Sequence, residues 1–393
     1  MNYRYVATCL FGLESLLGEE IDSLGCRRIE TIDGRVTFEA DETAAARCNI
    51  GLRFAERLYL LIGSFEAFTF DELFEAVKAL PLEDYFSLTD EYPVSGHSVK
   101  SRLYSIPDCQ RIIKKAASVR LAEKFGVSTL PETGVRKRLE FFILKDKVSL
   151  MIDLSGTPLH KRGYRPETVA APLRETLAAA LAKISRPRED VLLCDPFCGS
   201  GTIVIEAAMM MKNIAPGVTR RFSAEQYGLF PERIWKDARS EALSQIKRDS
   251  SFEAVGSDID ENCIRIANEA SRRAGVSDAV SFRVENALNI EKNGRRGTIV
   301  TNPPYGERLM NEDEVNELYR KMGEHFKSLV PWQFYILTPC ESFPRLFGRR
   351  ADKIRKLYNG MIPCFLYQFF KNGSKTKSSS IQHEVNPLDE YKE

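Results

Sequence analysis

The fold is decided by Val191-Leu192-Leu193-Cys194-Asp195-Pro196-Phe197-Cys198-Gly199-Ser200-Gly201-Thr202, which is followed by the apolar stretch from Ile203 to Met211. A short apolar run, a glycine loop and an apolar stretch of helical length predict a strand, a turn and a buried helix. This is the first unit of a doubly wound α/β sheet. The loop lacks the Gly-Lys-Ser/Thr of a phosphate loop, and Val204 stands where a dinucleotide fingerprint has its third glycine.

Two carboxylates indicate a nucleoside ligand at this turn. Asp195 ends the first strand and is placed to receive an amino group, while Gly199 and Gly201 let the backbone approach a ligand closely. A second strand is predicted from Glu253 to Asp258, and its terminal carboxylate suits ribose hydroxyls. S-adenosylmethionine fits both features, although a tight turn without a ligand is the alternative interpretation.

The spacing between the two carboxylates predicts an insertion. Asp258 lies 63 residues after Asp195, whereas about 20 are expected when one helix joins such strands. The extra segment, residues 212 to 249, mixes basic and aromatic side chains, which favours either an RNA contact or a lid packed over the sheet. A third strand is predicted from Val280 to Val284, and Asn286 after it is placed to face an adenine ring.

A second motif indicates the chemistry. Gly297 to Thr301 is predicted to be a buried strand, and the prolines of Asn302-Pro303-Pro304-Tyr305 prevent it from continuing. The Asn302 side-chain carbonyl and the Pro303 backbone carbonyl can accept the N–H bonds of an exocyclic amine, and Tyr305 can stack on the base. We therefore expect methyl transfer to a nucleobase nitrogen, catalysed by holding the amine in line with the sulfonium. An ordinary turn is the alternative for the isolated tetrapeptide.

Three motifs in this order resemble the bacterial THUMP-domain class I methyltransferases, and more narrowly those that make N2-methylguanosine in 23S ribosomal RNA. They are Asp195–Thr202, Gly256–Asp260 and Asn302–Leu309, and His160–Arg165, Ala171–Ala178 and Leu357–Gly360 fit the same group. The resemblance covers nearly the whole chain. It implies an α/β fold in which a Rossmann-like seven-stranded class I methyltransferase domain is preceded by α+β ferredoxin-like and THUMP domains. It also implies S-adenosyl-L-methionine as cofactor and RNA as partner, either 23S ribosomal RNA or an assembling large subunit.

The resemblance and the residue pattern together assign the site. The residues expected to bind the cofactor are Asp195, Phe197, Gly199, Gly201, Thr202, Asp258, Ile259, Asn286 and Ala287. Those expected to be catalytic or to hold the base are Asn302, Pro303 and Tyr305. Those expected to bind RNA are Lys100, Arg111, Lys114, Lys115, Lys161, Arg162 and Arg165. Many relatives have aspartate where Asn286 stands, so this position departs from the family pattern.

Four parts are expected along the chain: a ferredoxin-like domain (residues 1–64), a THUMP domain (65–164), the methyltransferase domain (165–371) and a polar, disordered tail (372–393). Charge is distributed unevenly along the chain. Residues 1 to 96 contain 8 Lys/Arg and 18 Asp/Glu, whereas residues 97 to 165 contain 15 Lys/Arg and 6 Asp/Glu. This pattern predicts a local basic footprint for phosphates. A predicted helix from about Ile106 to Phe125 carries Arg111 and Lys115 at i, i+4, with Lys114 beside them. A solubilising charged surface is the alternative.

The catalytic domain is expected to continue as alternating helices and strands. A helix is predicted from about Thr168 to Ile184 and a fifth strand from Trp332 to Leu337. A closing hairpin is predicted from Asp352–Leu357 and Pro363–Phe370 across Asn359-Gly360. The resulting sheet would be mainly parallel with one reversed edge pair.

Composition excludes several other classes of protein. The nine cysteines are scattered without a Cys-x-x-Cys and there are four histidines, so no metal site is expected. No long apolar run or secretion signal is present, so we expect a cytoplasmic protein without a membrane span. No obligate protein partner is evident. Cys340 and Cys364 are interpreted as packing residues, because cytosine-C5 chemistry would need its thiol in the loop where Asn302 stands.

Other functions remain open from the sequence. The same clamp suits an adenine-N6 DNA methyltransferase, although the RNA-type domain before it favours RNA. A transfer-RNA guanine-N2 methyltransferase is a further alternative. A non-enzymatic ribosome-assembly factor would not need Asp195, Asp258 and Asn302 together. An NAD oxidoreductase is disfavoured by the absent third glycine.

Overall fold

A computed structural model describes residues 2–165, 173–305 and 311–370. The predicted start of a helix at Thr168, the motif residues 171–172 and 306–309, and the predicted tail lie outside these residues. The first half contains β1 (Tyr3–Thr8), α1 (Glu14–Ser23), β2 (Arg27–Ile32), β3 (Arg35–Ala40), α2 (Ala44–Gly51), β4 (Arg57–Glu66), α3 (Phe70–Ala79), β5 (Val94–Val99), α4 (Ile106–Phe125), β6 (Leu139–Leu144) and β7 (Lys147–Asp153).

The second half builds the catalytic domain. Its elements are α5 (Glu175–Ser185), β8 (Leu192–Asp195), α6 (Thr202–Met211), α7 (Glu232–Ser244), β9 (Ala254–Asp258), α8 (Glu261–Arg273), β10 (Val280–Val284), β11 (Gly297–Thr301), α9 (Glu312–Ser328), β12 (Gln333–Thr338), α10 (Phe343–Leu346), β13 (Lys353–Asn359) and β14 (Ile362–Phe369).

One continuous sheet joins the first two parts of the chain. Its strand order is β2-β3-β1-β4-β7-β6-β5. Strand β4 pairs antiparallel with β1 on one side, where Tyr5 lies opposite Leu60, and with β7 on the other, where Leu60 lies opposite Ile152. The predicted boundary at residue 64 falls inside this strand. The ferredoxin-like and THUMP parts therefore share their central strand.

The second sheet has the order β10-β9-β8-β11-β12-β14-β13. The first five strands pair in parallel, and β14 is antiparallel to both β12 and β13. The predicted seven-stranded sheet is confirmed. The reversed edge pair is corrected to one reversed strand, because β14 inserts between β12 and β13 and thereby leaves the edge strand β13 parallel to β12.

The inserted segment packs between the domains. The rings of Phe222 and Trp235 stack at 5.8 Å, and Phe230 meets Tyr3 of β1 edge-on at 5.6 Å. The Tyr227 hydroxyl donates to the Asp153 carbonyl at 2.8 Å. Because these aromatic side chains are buried, they do not present an RNA-stacking surface.

Two arginines expected to bind RNA hold the domain junction. Arg162 is 3% exposed, and its guanidinium donates to the carbonyls of Leu159 and Arg53. Arg165 donates to the Thr202 hydroxyl at the start of α6, at 2.8 Å, and to the Leu173 carbonyl. Burial of the Arg162 guanidinium contradicts its predicted contact with RNA. Arg165 is engaged within the protein but keeps 14% of its side chain exposed, and its RNA-binding role stays a prediction.

Among the residues that the structure describes, no helix is long and apolar enough to cross a bilayer. In the same parts of the chain, no group of three or more His, Cys, Asp or Glu side chains is placed to hold a metal ion.

Candidate active site

The carboxyl ends of β8 and β11 meet at Asp195. This residue ends β8 and is 2% exposed. Its Oδ1 accepts a hydrogen bond from the Thr301 hydroxyl at 2.6 Å and another from the Phe197 backbone N–H at 3.2 Å. The last residue of the strand before the Asn-Pro-Pro-Tyr loop thus orients the carboxylate that precedes the glycine loop.

Burial changes the acid strength of Asp195. The pKa of its carboxyl is raised to about 7, and desolvation by burial is the main cause. The hydrogen bonds from Thr301 and Phe197 lower the pKa, and the nearby charge of Asp258 raises it. A carboxylate with this environment is stabilised by any cation that enters the site. The geometry therefore favours a ligand with an amino group at this position.

Asp258 clamps the glycine loop to β9. Its Oδ2 accepts from the Gly199 N–H at 3.0 Å and its Oδ1 from the Asp260 N–H at 3.0 Å. The Cys198 N–H also donates to the Ser257 carbonyl at 2.9 Å. The carboxylate and this backbone hydrogen bond together fix the loop, and the remaining lone pairs of the carboxylate are available to a ligand.

Glycine is required at positions 199 and 201 of the loop for two different structural reasons. Gly199 has φ +51°, and no atom lies within 4 Å of the place where a Cβ would stand. Glycine is therefore favoured at this position by the left-handed backbone and not by lack of space. Gly201 has φ +77°, and a Cβ there would come within 2.7 Å of the Phe282 ring on β10. The Phe282 side chain is therefore a reason for glycine at position 201 that was not predicted.

The far wall of the cofactor region lies after β9 and β10. Ile259 is 74% exposed beside Asp258, which offers apolar area to a planar ring. Asn286 is exposed, and its Oδ1 accepts from the Leu288 N–H at 2.9 Å, while Ala287 is buried beneath it. The Asn286 side-chain carbonyl is thus already engaged by the backbone of the following turn.

The clamp contains a buried acceptor without a donor. The Asn302 side-chain oxygen is fully buried, and no hydrogen-bond partner for it occurs among the described residues. Leaving such an acceptor unsatisfied costs about 1–3 kcal/mol. A donor supplied by a ligand would remove that cost, and an exocyclic amine is such a donor.

The rest of the loop is held rigidly. Pro303 is buried, and the Pro304 carbonyl accepts from the Tyr319 hydroxyl at 3.3 Å. The Tyr305 hydroxyl accepts from the Asn359 side-chain amide at 2.8 Å. Burial raises the pKa of Tyr305, and hydrogen bonds from Asn359 and Asn302 lower it. Both asparagines therefore lie against the phenol.

The structure brings the predicted cofactor and base-holding residues together at one end of the second sheet. The predicted RNA-binding residues lie on the THUMP part and at the junction, where Arg165 reaches Thr202 at the end of the glycine loop. Lys100, Arg111, Lys115 and Lys161 are exposed. Lys114 is half-buried, with its ammonium over the Tyr92 ring at 3.4 Å and paired with Glu132.

Three residues of the site were not predicted: Thr301, Tyr319 and Asn359. Thr301 is the one polar side chain in the last three residues of the buried strand β11, which is a usable signal. Asn359 lies within the stretch Leu357–Gly360 that fits the resembled family, but no role was assigned to it. Nothing in the sequence marks Tyr319 among the apolar residues of α9.

Comparison with known protein families covers nearly the whole chain. Residues 4–59 match the RlmL ferredoxin-like domain, residues 67–153 the THUMP domain, and residues 162–368 the RMKL-like methyltransferase domain. These matches confirm the predicted class I methyltransferase fold, the two domains before it, and the use of S-adenosylmethionine.

Two relatives and one solved structure illustrate the similarity. A Bacillus subtilis (strain 168) protein named "Putative RNA methyltransferase YpsC" is 41% identical over 94% of this chain and 96% of its own length. The ribosomal RNA large subunit methyltransferase K/L of Aliivibrio fischeri (strain MJ11) is 33% identical over 98% of this chain and 56% of its own length. The chain thus spans about half the length of the K/L relatives.

The solved structure is described as "Crystal structure of SMU.472, a putative methyltransferase complexed with SAH". It has a TM-score of 0.89 and 39% identity, over 95% of this chain and 99% of that one. Because the methyltransferase match covers more than half of the 393 residues, the chain belongs to the RMKL-like methyltransferase family.

Proposed function

We propose that this chain methylates the exocyclic N2 of a guanine in the 23S ribosomal RNA of the large subunit, using S-adenosylmethionine. The observation that supports this most directly is the buried, unpaired Asn302 oxygen beside the Tyr305 phenol. The names of the K/L and YpsC relatives support RNA, and the large ribosomal subunit in particular, as the substrate. The proposed compartment is the cytoplasm, where ribosomal RNA is made in bacteria.

The residues around the glycine loop fit the cofactor. Asp195 would receive its amino group, Asp258 its ribose hydroxyls, and Ile259 its adenine ring. When bound, S-adenosylmethionine supplies an electrophilic methyl group on a positively charged sulfur. No atom lies within 4 Å of the Cβ position of Gly199, so this part of the loop leaves space for the cofactor.

The proposed reaction does not require a protein side chain with a shifted pKa as general acid or base. The lone pair of a guanine N2 amine is delocalised into the ring, and two acceptors aimed at its N–H bonds direct that lone pair toward the methyl group. Asn302 Oδ1 and the Pro303 carbonyl would be those acceptors, and Tyr305 would hold the extruded base. Orientation is then the larger part of the rate enhancement.

The substrate is tested by mass spectrometry of nucleosides. Ribosomal RNA, transfer RNA and DNA would be compared between a strain lacking this protein and strains complemented with the parent chain or with Asn302→Ala. We expect N2-methylguanosine of the large ribosomal RNA to be lost in the deletion strain and restored by the parent alone. Loss of N2-methylguanosine from transfer RNA, or of N6-methyladenine from DNA, would contradict the proposed substrate.

RNA binding by the THUMP part is tested on the exposed cations of α4. Arg111 has 74% of its side chain exposed and Lys115 is exposed, although Arg111 is paired with Asp108. The double variant Arg111→Gln/Lys115→Gln is expected to raise the KM for RNA and to lower the slope of log K against log salt by about 1 to 2. Lys114 is left unchanged because it also packs on Tyr92.

A matched control exists on α9. Arg320→Gln/Lys321→Gln removes two cations whose side chains are 54% and 55% exposed and paired with Glu317. Filter binding over a salt series would compare both double variants with the parent. Equal salt slopes for all three proteins would show that the α4 cations do not contact RNA.

Cofactor binding should depend on pH through Asp195. Below its pKa of about 7 the carboxyl is neutral and no longer attracts the cofactor's ammonium. The Kd for S-adenosylmethionine is therefore expected to fall by up to about tenfold per pH unit as pH rises toward 7, and to level off above it. Calorimetric titration from pH 5.5 to 8.5 measures this, and Asp195→Asn should flatten the profile.

As pH rises, the contribution of Asp195 to the free energy of unfolding decreases, whereas its contribution to cofactor affinity increases. The folded state keeps the Asp195 proton up to about pH 7, whereas the unfolded chain releases it near pH 4. The resulting contribution to the free energy of unfolding is present below about pH 4 and is lost as pH rises to about 7. A parent protein with pH-independent cofactor affinity would refute this role of Asp195.

A further inference from the structure

The hairpin of β13 and β14 ends in an exposed apolar tip. Asn359 pairs with Ile362, so the loop consists of Gly360 and Met361 alone, and Gly360 has φ +66° as such a turn requires. Met361 is 92% exposed and Ile362 is 48% exposed. Apolar side chains presented together on a tight turn are typical of a surface that something else covers.

This tip is connected directly to the base clamp. Asn359, the last residue of β13, donates its side-chain amide to the Tyr305 hydroxyl at 2.8 Å. The Cys364 thiol at the start of β14 is close enough to Tyr305 to influence the pKa of the phenol. The exposed tip therefore lies next to the position proposed for the extruded base.

The ferredoxin-like part extends the same surface. Phe11 is 49% exposed, and its ring meets Tyr358 of β13 edge-on at 5.7 Å. The approach is close at Gly12, where a Cβ would come within 2.8 Å of the Lys356 carbonyl. Glu14, the carboxylate nearest to Gly12 in sequence, accepts from the N–H groups of Gly12 and Gly34.

The charge of the hairpin suits a phosphate backbone. Strand β13 contains three cations and no anion: Lys353, Arg355 and Lys356. It is also the free edge of the second sheet, beyond which no further strand pairs among the described residues. Apolar and aromatic side chains interleaved with cations on one edge match RNA better than they match an apolar protein partner.

We propose that Met361 enters the RNA helix at the place vacated by the target guanine, while Phe11 stacks on a neighbouring nucleotide. Apolar side chains that wedge between bases hold a helix open in this way, and refilling the gap keeps the extruded base from returning. This inference rests on the proposed function and names which RNA the site prefers: a guanosine inside a stem, not one in a single strand.

The experiment compares two RNAs that carry the guanosine identified by mass spectrometry. One is a stem containing it, and the other is a short single strand of the same sequence. Met361→Ala is expected to lower kcat/KM on the stem by about tenfold and to leave the single strand within about twofold of the parent. Met361→Leu should restore most of the activity on the stem.

Ile354→Ala is the matched control, because Ile354 is 53% exposed on the same hairpin and lies opposite Tyr367, far from the turn. It should leave both RNAs unaffected. Equal losses of Met361→Ala on both RNAs, or no loss on the stem, would overturn the wedge. A parent that prefers the single strand to the stem would also overturn the wedge, but its activity on either RNA would still uphold the proposed function. Failure of the proposed function is recognised separately, when N2-methylguanosine of the large ribosomal RNA persists in the deletion strain.

Discussion

Asn302→Ala is expected to lower kcat for methyl transfer by about 10³-fold while leaving cofactor affinity within about twofold of the parent. The expected size follows from the loss of a preorganised hydrogen-bonding group aimed at the reacting atom in a water-poor site, which costs about 10²–10³ in kcat. The lost oxygen is buried and without a partner among the described residues. The variant also removes the hydrogen bond from the Asn302 side chain to the Tyr305 phenol. Single-turnover transfer of radiolabelled methyl and calorimetric titration of the cofactor measure the two effects separately.

The matched control for this variant is Asn262→Ala. Asn262 is an exposed asparagine on α8 whose side-chain oxygen accepts from Arg265. It should leave both kcat and cofactor affinity unchanged. If Asn302→Ala instead retained parental kcat, the clamp would have no part in the reaction and the proposed chemistry would be wrong.

Asp258→Ala is expected to weaken S-adenosylmethionine binding by about 100-fold. Two effects add: the ribose loses a charged acceptor, and Gly199 and Asp260 lose the carboxylate that holds their N–H groups at 3.0 Å. Hydrogen bonds to charged groups are worth about 1.5–3 kcal/mol each, and 1.4 kcal/mol corresponds to tenfold in affinity. Calorimetric titration with the cofactor and with its demethylated product measures the change.

Two further variants separate the contributions to this effect. Glu261→Ala removes an exposed carboxylate three residues along the chain and should not change the affinity. Asp258→Asn keeps one acceptor for the loop and should fall between the parent and Asp258→Ala. Parental affinity in Asp258→Ala would show that this carboxylate does not contact the cofactor.

The sequence predicted the catalytic sheet well because its signals are local. The strand predicted to begin at Val191 and to end at Asp195 is β8, which begins one residue later, at Leu192, and ends at Asp195 as predicted. The hairpin was predicted across Asn359-Gly360, and its loop is Gly360-Met361, one residue later. A strand, a glycine turn and a proline-terminated strand are each defined within about ten residues.

Interactions between distant residues were beyond the same reasoning. In the sequence, Arg162 and Arg165 are two cations without an evident partner. In the structure, a nitrogen of Arg162 lies 3.5 Å from a carboxylate oxygen of Glu206, and a nitrogen of Arg165 lies 3.6 Å from one of Glu175. Likewise, the sequence does not indicate that aromatic side chains of the insertion pack against β1, as Phe230 does against Tyr3. Charge and aromatic content report what a side chain can do, and only the fold determines which partner it finds.

The strand β4 has a consequence for how this protein can change over evolutionary time. Residues 57 to 66 supply hydrogen bonds to strands on both sides, so neither half of that sheet survives recombination that separates it from the other. A fragment beginning after this strand would leave β7 with an open row of amide and carbonyl groups, a template for self-association. The ferredoxin-like and THUMP parts are therefore expected to be inherited together, as a single rigid unit.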